Sequence, residues 1–164
     1  RRFNHLYKTD LLEDCQPLLS PTPRLLGIDG RKMSKSYQNA IYLSDTAEEV
    51  CSKVQRMFTD PRRIKMTDPG HPEECNVYTY YQTFVPSAQR HQEVYDWCSN
   101  AKKGCTECKA ILADHLLRAL KPVQEKRQIW VKEKRRIREI LEEGGRKARA
   151  MAQKTMEEVK EVIF

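Results

Sequence analysis

Two lysines three positions apart, Lys32 and Lys35, stand in the run Gly30-Arg31-Lys32-Met33-Ser34-Lys35-Ser36, with hydroxyls at Ser34 and Ser36 and glycines at positions 27 and 30. A triphosphate needs such a surface. Ammonium groups neutralise its oxygens, hydroxyl and backbone donors orient it, and glycines let the main chain come close. Phosphoryl and nucleotidyl transfer rest mostly on positioning and charge stabilisation, so a loop with two lysines can supply much of such a reaction. On composition alone the same stretch also reads as a solvated turn.

A second group of residues has the chemistry of a metal site. Of six cysteines, at 15, 51, 75, 98, 105 and 108, the last four follow the spacing C-x22-C-x6-C-x2-C. Cys105 and Cys108 lie three apart and share one side at the start of a helix, where the partial positive charge favours thiolates. Four converging thiolates hold either a tetrahedral zinc ion or a cubane iron–sulfur cluster. One close pair with two widely spaced ligands is unusual for structural zinc and acceptable for a cluster. A six-cysteine disulfide framework, with its 15 possible pairings, is the alternative. It suits small secreted domains rather than a helical, charge-rich chain of this length. Cys15 and Cys51 read as buried free thiols of a reducing cytoplasm.

The elements that must carry these residues read as mainly α-helical. Pro17, Pro21 and Pro23 break any long helix before the lysine loop, and Ile41-Tyr42-Leu43 is a short extended stretch after it. Ser44 and Asp45 offer an N-cap, with Glu48 completing a capping box. Val50, Val54, Met57 and Phe58 follow at helical spacing, and Asp60-Pro61 ends that helix. Asp68-Pro69-Gly70-His71-Pro72 is a turn, with His71 read as an exposed turn residue. Helices are expected just after Cys75, from Pro86-Ser87 into Cys98, and from Cys105 to Leu120, with Ile111, Leu112, Leu116 and Leu120 facing a core and His115 among them read as a packing or surface residue rather than a catalytic one. Lys102-Lys103-Gly104 is a basic turn that fits either a phosphate contact or a helix stop. Pro122 suits the first position of a further helix, and Gly144-Gly145 is expected to end it. A last helix carries Ala148, Met151, Ala152, Met156 and Val159, a stripe for a core or a partner helix.

Composition bounds the function classes. The chain has 164 residues, 32% of them charged and 39% hydrophobic, with net charge +7. No apolar run approaches the ~20 residues of a membrane span, so no membrane partner is expected. From Lys121 to Ala150 there are 11 Lys and Arg against 5 acidic residues. A basic helical stripe suits a polyphosphate partner such as nucleic acid through charge neutralisation and counterion release. A solvated helix laced with i,i+4 ion pairs is the plainer reading.

The order of residues goes further. Lys32-Met33-Ser34-Lys35-Ser36 is identical to the signature loop of class I aminoacyl-tRNA synthetases, and Gly27 to Tyr37 resembles the tryptophanyl-tRNA synthetase version of it. Arg2-Phe3-Asn4 with Tyr7 resembles the segment before that loop. Thr59-Asp60-Pro61 and Asp68-Pro69-Gly70 with Pro72 resemble the segment after it, and Glu143-Gly144-Gly145 with Ala148, Arg149 and Ala152 the C-terminal helix. The second signature of that class, a His-x-Gly-His motif, is not in this sequence. The histidines at 5, 71, 91 and 115 stand alone.

The resemblance therefore implies the C-terminal half of a tryptophan–tRNA ligase, inactive by itself. Residues 1–43 would be the end of a Rossmann-type catalytic domain, and 44–164 a helical anticodon-binding domain with a four-cysteine cluster site. It implies catalytic roles for Lys32 and Lys35 and ATP binding by Gly30, Lys32, Met33, Ser34, Lys35 and Ser36, with Mg2+ as counter-ion. A subset of bacterial members has four cysteines at this spacing, which implies a 4Fe-4S cluster on Cys75, Cys98, Cys105 and Cys108, zinc being the alternative. The implied partners are tRNA(Trp), ATP, L-tryptophan and a second copy of the chain, in the cytoplasm. Two competing readings are a non-catalytic tRNA-binding module organised by a metal cluster, and a tyrosyl-tRNA synthetase relative.

Overall fold

A computed structural model describes residues 1–20 and 22–164. Pro21, one of the expected helix breakers, lies outside them. The described residues form six α-helices: α1 (Arg2–Tyr7), α2 (Ala47–Gln55), α3 (Asn76–Phe84), α4 (Ala88–Ser99), α5 (Cys105–Lys132) and α6 (Lys134–Ile163), with a 3-10 turn at Pro72–Glu74. The expected mainly α class holds. Pairing of β type among them is a single isolated bridge between Leu26 and Lys32. The extended stretch expected at Ile41–Leu43 pairs with nothing as a strand.

The chain divides into two compact units, residues 20–126 and residues 1–19 with 127–164. The first holds the hydrophobic core. Val50 and Val54 of α2, Val77, Tyr80 and Tyr81 of α3, Val94 of α4, and Leu112, Ala113 and Leu116 of α5 pack with Ile28, Met57 and Val85. The apolar residues recur at steps of three and four in each helix, so each gives one face to that core. Of the two readings of His115, packing or surface, the structure shows the first: its ring lies edge-on against Tyr81.

Local signals set the helix ends. Ser87 caps α4 by accepting from the Arg90 N–H at 3.2 Å. At α2 the cap is Thr46, not Ser44 or Asp45. Thr46 accepts from the Glu49 N–H at 3.2 Å and Glu49 accepts from the Thr46 N–H at 2.7 Å, a complete capping box. Asp45 is instead drawn inside, where it accepts from the Tyr42 N–H and pairs with Lys53 at 2.6 Å. Helix α2 also stops at Gln55, so Met57 and Phe58 lie beyond it.

Two expected breaks are not breaks. Helix α5 runs through Pro122, although an interior proline forfeits a hydrogen bond and costs ~3 kcal/mol. The helix is held on both sides of it, by buried Leu116 before and by the Gln124 side chain donating to the Asp45 carbonyl after. The break comes at Glu133. In the second unit, α6 runs through Gly144-Gly145, spanned by a Glu143–Lys147 pair at 2.7 Å. Glycine weakens a helix by ~1 kcal/mol per residue without forcing an end. The stripe on α6 is exposed at Met151 (75%) and Met156 (51%) and half-buried at Val159.

Candidate functional site

The lysine loop is a polar turn closed by a buried asparagine. The Gly27 N–H donates to the Arg31 carbonyl at 2.8 Å and the Gly30 N–H to the Gly27 carbonyl at 3.0 Å. Gly30 has φ +76°, a left-handed conformation that suits glycine. Asn39, 2% exposed, sits at the centre. Its Nδ2 donates to Asp29 Oδ1 at 2.8 Å and to the Lys32 carbonyl at 3.2 Å, and its Oδ1 accepts from the Ser34 N–H at 2.9 Å. The amide of Asn39 above all, against the opposing effect of burial and with help from Arg31, holds the Asp29 carboxyl down at about 2. Lys32, Lys35 and Ser36 are exposed, and Met33 and Ser34 are half-buried. Met33 lines an apolar groove with Leu25, Ile41, Tyr80 and Leu116.

Four cysteines line one cavity of about 20 Å³, together with Thr59, Arg63, Val77, Trp97 and Lys103. That is room for about one water molecule. Cys75 sits just before α3, Cys98 at the end of α4, and Cys105 and Cys108 in the first turn of α5. Burial pushes the Cys75, Cys98 and Cys108 thiols up, Cys98 to about 11 and Cys108 to about 12, and the Cys75 sulfur adds to the last two. Among the described residues, no group of three or more His, Cys, Asp or Glu side chains stands ready as a metal site.

Neighbours shape this cavity. Gly70 is buried and donates its N–H to the Cys98 carbonyl at 2.9 Å; a Cβ there would lie 2.5 Å from Cys98 Sγ. Arg63 brings Nη1 to 3.9 Å from Cys105 Sγ and donates from Nη2 to the carbonyls of Met66 and Lys103, while its buried Nε has no partner. Tyr81 donates its hydroxyl to the Cys108 carbonyl at 2.8 Å. His71 is not a free turn residue: its Nδ1 lies 2.7 Å from the buried Asp60 carboxylate. In the basic turn, Lys102 pairs with Asp96, and Lys103 pairs with Glu107 and lies over the Trp97 ring.

Two short links join cavity and loop. Asn76, next to Cys75, donates to the Gly27 carbonyl at 2.8 Å. Phe58, next to Thr59, donates its N–H to the Ile28 carbonyl and rests its ring against Gly30. The motif spacing reveals neither Asn39, Asn76, Arg63 nor Gly70 as a framing residue. The one available signal is an asparagine between a polar turn and the apolar Ala40-Ile41, a residue type that hydrogen-bonds nearby main chain.

Comparison with known proteins places this geometry. The family model described as tRNA synthetases class I (W and Y) matches residues 1–121. A tryptophan–tRNA ligase of Aquifex aeolicus is 45% identical over 99% of this chain and 41% of its own length. One of Thermotoga maritima is 40% identical over 99% of the chain and 49% of its own. The chain therefore spans about half the length of these relatives. Among solved structures, a Campylobacter jejuni tryptophanyl-tRNA synthetase matches with a TM-score of 0.71 and 28% identity over 85% of this chain and 44% of that one. A second structure of it is a complex with ADP and tryptophan. With 121 of its 164 residues under the family model, the chain belongs to the class I tRNA synthetases of the tryptophan and tyrosine group.

Proposed function

We propose that the protein carrying this chain is a tryptophan–tRNA ligase, with the lysine loop at its ATP site. The observation that carries this is the loop itself: Lys32 and Lys35 reach solvent from a main chain that Asn39 and Asp29 hold by hydrogen bonds. The tryptophan–tRNA ligases that match along the whole chain support it. In the first step the tryptophan carboxylate attacks the α-phosphorus of ATP, forming tryptophanyl-adenylate and expelling pyrophosphate. In the second the tryptophanyl group passes to the terminal adenosine of tRNA(Trp). Lys32 and Lys35 neutralise the negative charge that grows on the departing pyrophosphate, with Mg2+ as counter-ion. Gly30, Ser34 and Ser36 line the phosphate path, and Met33, seated in its apolar groove, anchors the loop.

The rest of the assignment follows the same reading. Residues 1–43 close the Rossmann-type catalytic domain and 44–164 form the anticodon-binding domain, in a cytoplasmic homodimer. Cys75, Cys98, Cys105 and Cys108 would hold the metal group, which would act as a structural clamp for the helices that meet tRNA. The donor set fits both candidates: four thiols on one cavity suit iron–sulfur and zinc alike. Among the described residues the sulfurs do not stand close enough for three to share one ion, so the thiols would have to converge on either group. Thiols would release their protons on loading.

The test is pyrophosphate exchange by the full-length protein. Lys32→Ala and Lys35→Ala should each lower the rate of exchange by roughly 100-fold, the size seen when one charge-stabilising donor is removed, and leave tryptophan affinity unchanged. Loss of tryptophan affinity at an unchanged rate would refute the role.

A further inference from the structure

We propose that Asn39 is a positioning residue for amino-acid activation: its carboxamide fixes the Lys32–Ser34 main chain and through it the aim of the loop lysines. This rests on the ligase reading above. Among the described residues, neither loop ammonium hydrogen-bonds or ion-pairs with another side chain. What orients the lysines is therefore the main chain that carries them, and Asn39 holds it at two points. Nδ2 grips the Lys32 carbonyl and Oδ1 receives the Ser34 N–H, one residue to either side of Met33. The remaining bond, to Asp29 Oδ1, ties this clasp to the turn that opens the loop.

The surroundings are built around this amide. The Ile28 N–H donates to the Asn39 carbonyl at 2.8 Å. A Cβ on Gly27 would clash with Asn39 Nδ2, so glycine at 27 makes the space the carboxamide occupies. Glutamine is too long for that space. Aspartate keeps the acceptor for Ser34 but loses both donors and sets a second carboxylate against Asp29. Leucine has the size and none of the bonds. Three hydrogen bonds from one buried group converge on the six residues 29–34, which fixes main-chain geometry more tightly than a single cap does.

The experiment uses the full-length protein and tryptophan-dependent exchange of labelled pyrophosphate into ATP. Asn39→Ala should lower kcat by roughly 10- to 100-fold, the scale of a misplacement of about 1 Å in a positioning group, with KM for tryptophan within twofold of the parent. Asn39→Asp should fall as far, because it loses the Lys32 contact at nearly unchanged volume. In Lys32→Ala/Asn39→Ala the second change should add less than about threefold, because residues that act as a unit are not additive. A melting midpoint for each variant separates loss of aim from loss of fold. If Asn39→Ala does not fold, the near-isosteric Asn39→Asp carries the test. Exchange by a folded Asn39 variant within twofold of the parent, or full multiplication of the two losses, overturns the inference. Absence of exchange in the unmodified protein would overturn instead the ligase reading beneath it.

Discussion

Replacing Gly70 by alanine should displace one of the four cysteines proposed above to hold a metal. The added Cβ would sit 2.5 Å from Cys98 Sγ and 3.2 Å from Arg63 Cδ. Ordinary contact between such atoms is about 3.5–4.0 Å, so the sulfur must retreat by about 1 Å or turn to another rotamer. Metal–thiolate bonds tolerate only about 0.2 Å, so on the proposed metal role a retreat several times larger would take Cys98 out of the ligand set. Overpacking of this kind costs about 1–3 kcal/mol, which for a chain of this size lowers the melting midpoint by roughly 2–12 °C. Gly104→Ala is the internal control, since its nearest neighbours are the flexible Met66 Cγ and Sδ at 3.7 Å. Iron, sulfide and zinc are assayed in protein purified without oxygen, alongside thermal melting. Gly70→Ala should lose metal and melt early while Gly104→Ala does neither. Full metal content and an unchanged midpoint in Gly70→Ala would refute the steric argument.

Two further predictions follow from the local geometry. The Asp29 carboxyl, held at about 2 against an ordinary 3.8, favours the folded loop above its unfolded value. That contribution is lost as pH falls from about 4 towards 2, and Asn39→Ala should return the Asp29 titration, followed by carboxyl NMR, towards 3.8; a titration that stays near 2 would contradict the assignment. Gly144→Ala and Gly145→Ala meet nothing within 4 Å of the new methyl group in α6, so each should raise stability by up to ~1 kcal/mol in denaturant unfolding, and a loss would show that the helix does not run through them.

What could be read from the sequence was what is local. The lysine loop, the Ser87 cap and the start of α3 after Cys75 depend on neighbours within a few positions. The cap of α2 shows the limit. Asp45 and Thr46 each have a glutamate three residues on, so both satisfy the capping pattern. Burial decides between them, because Asp45 is taken by Lys53 and the Tyr42 N–H. Pro122 and Gly144-Gly145 carry local costs that the surrounding helix outweighs. Cysteine spacing names the four residues that share a cavity, but Gly70 and Arg63 come to it from a turn whose position only the folded chain defines. Asn39 is hidden for the same reason: its three partners are set by the shape of the turn, not by a pattern of residue types.

The most direct test of the account is amino-acid-dependent exchange of pyrophosphate into ATP by the full-length protein, with tryptophan and tyrosine offered separately. The account predicts exchange with tryptophan, little with tyrosine, and its loss in Lys32→Ala. Exchange that prefers tyrosine would move the protein to the sister activity of its family, and no exchange with either amino acid would contradict a catalytic role for the lysine loop.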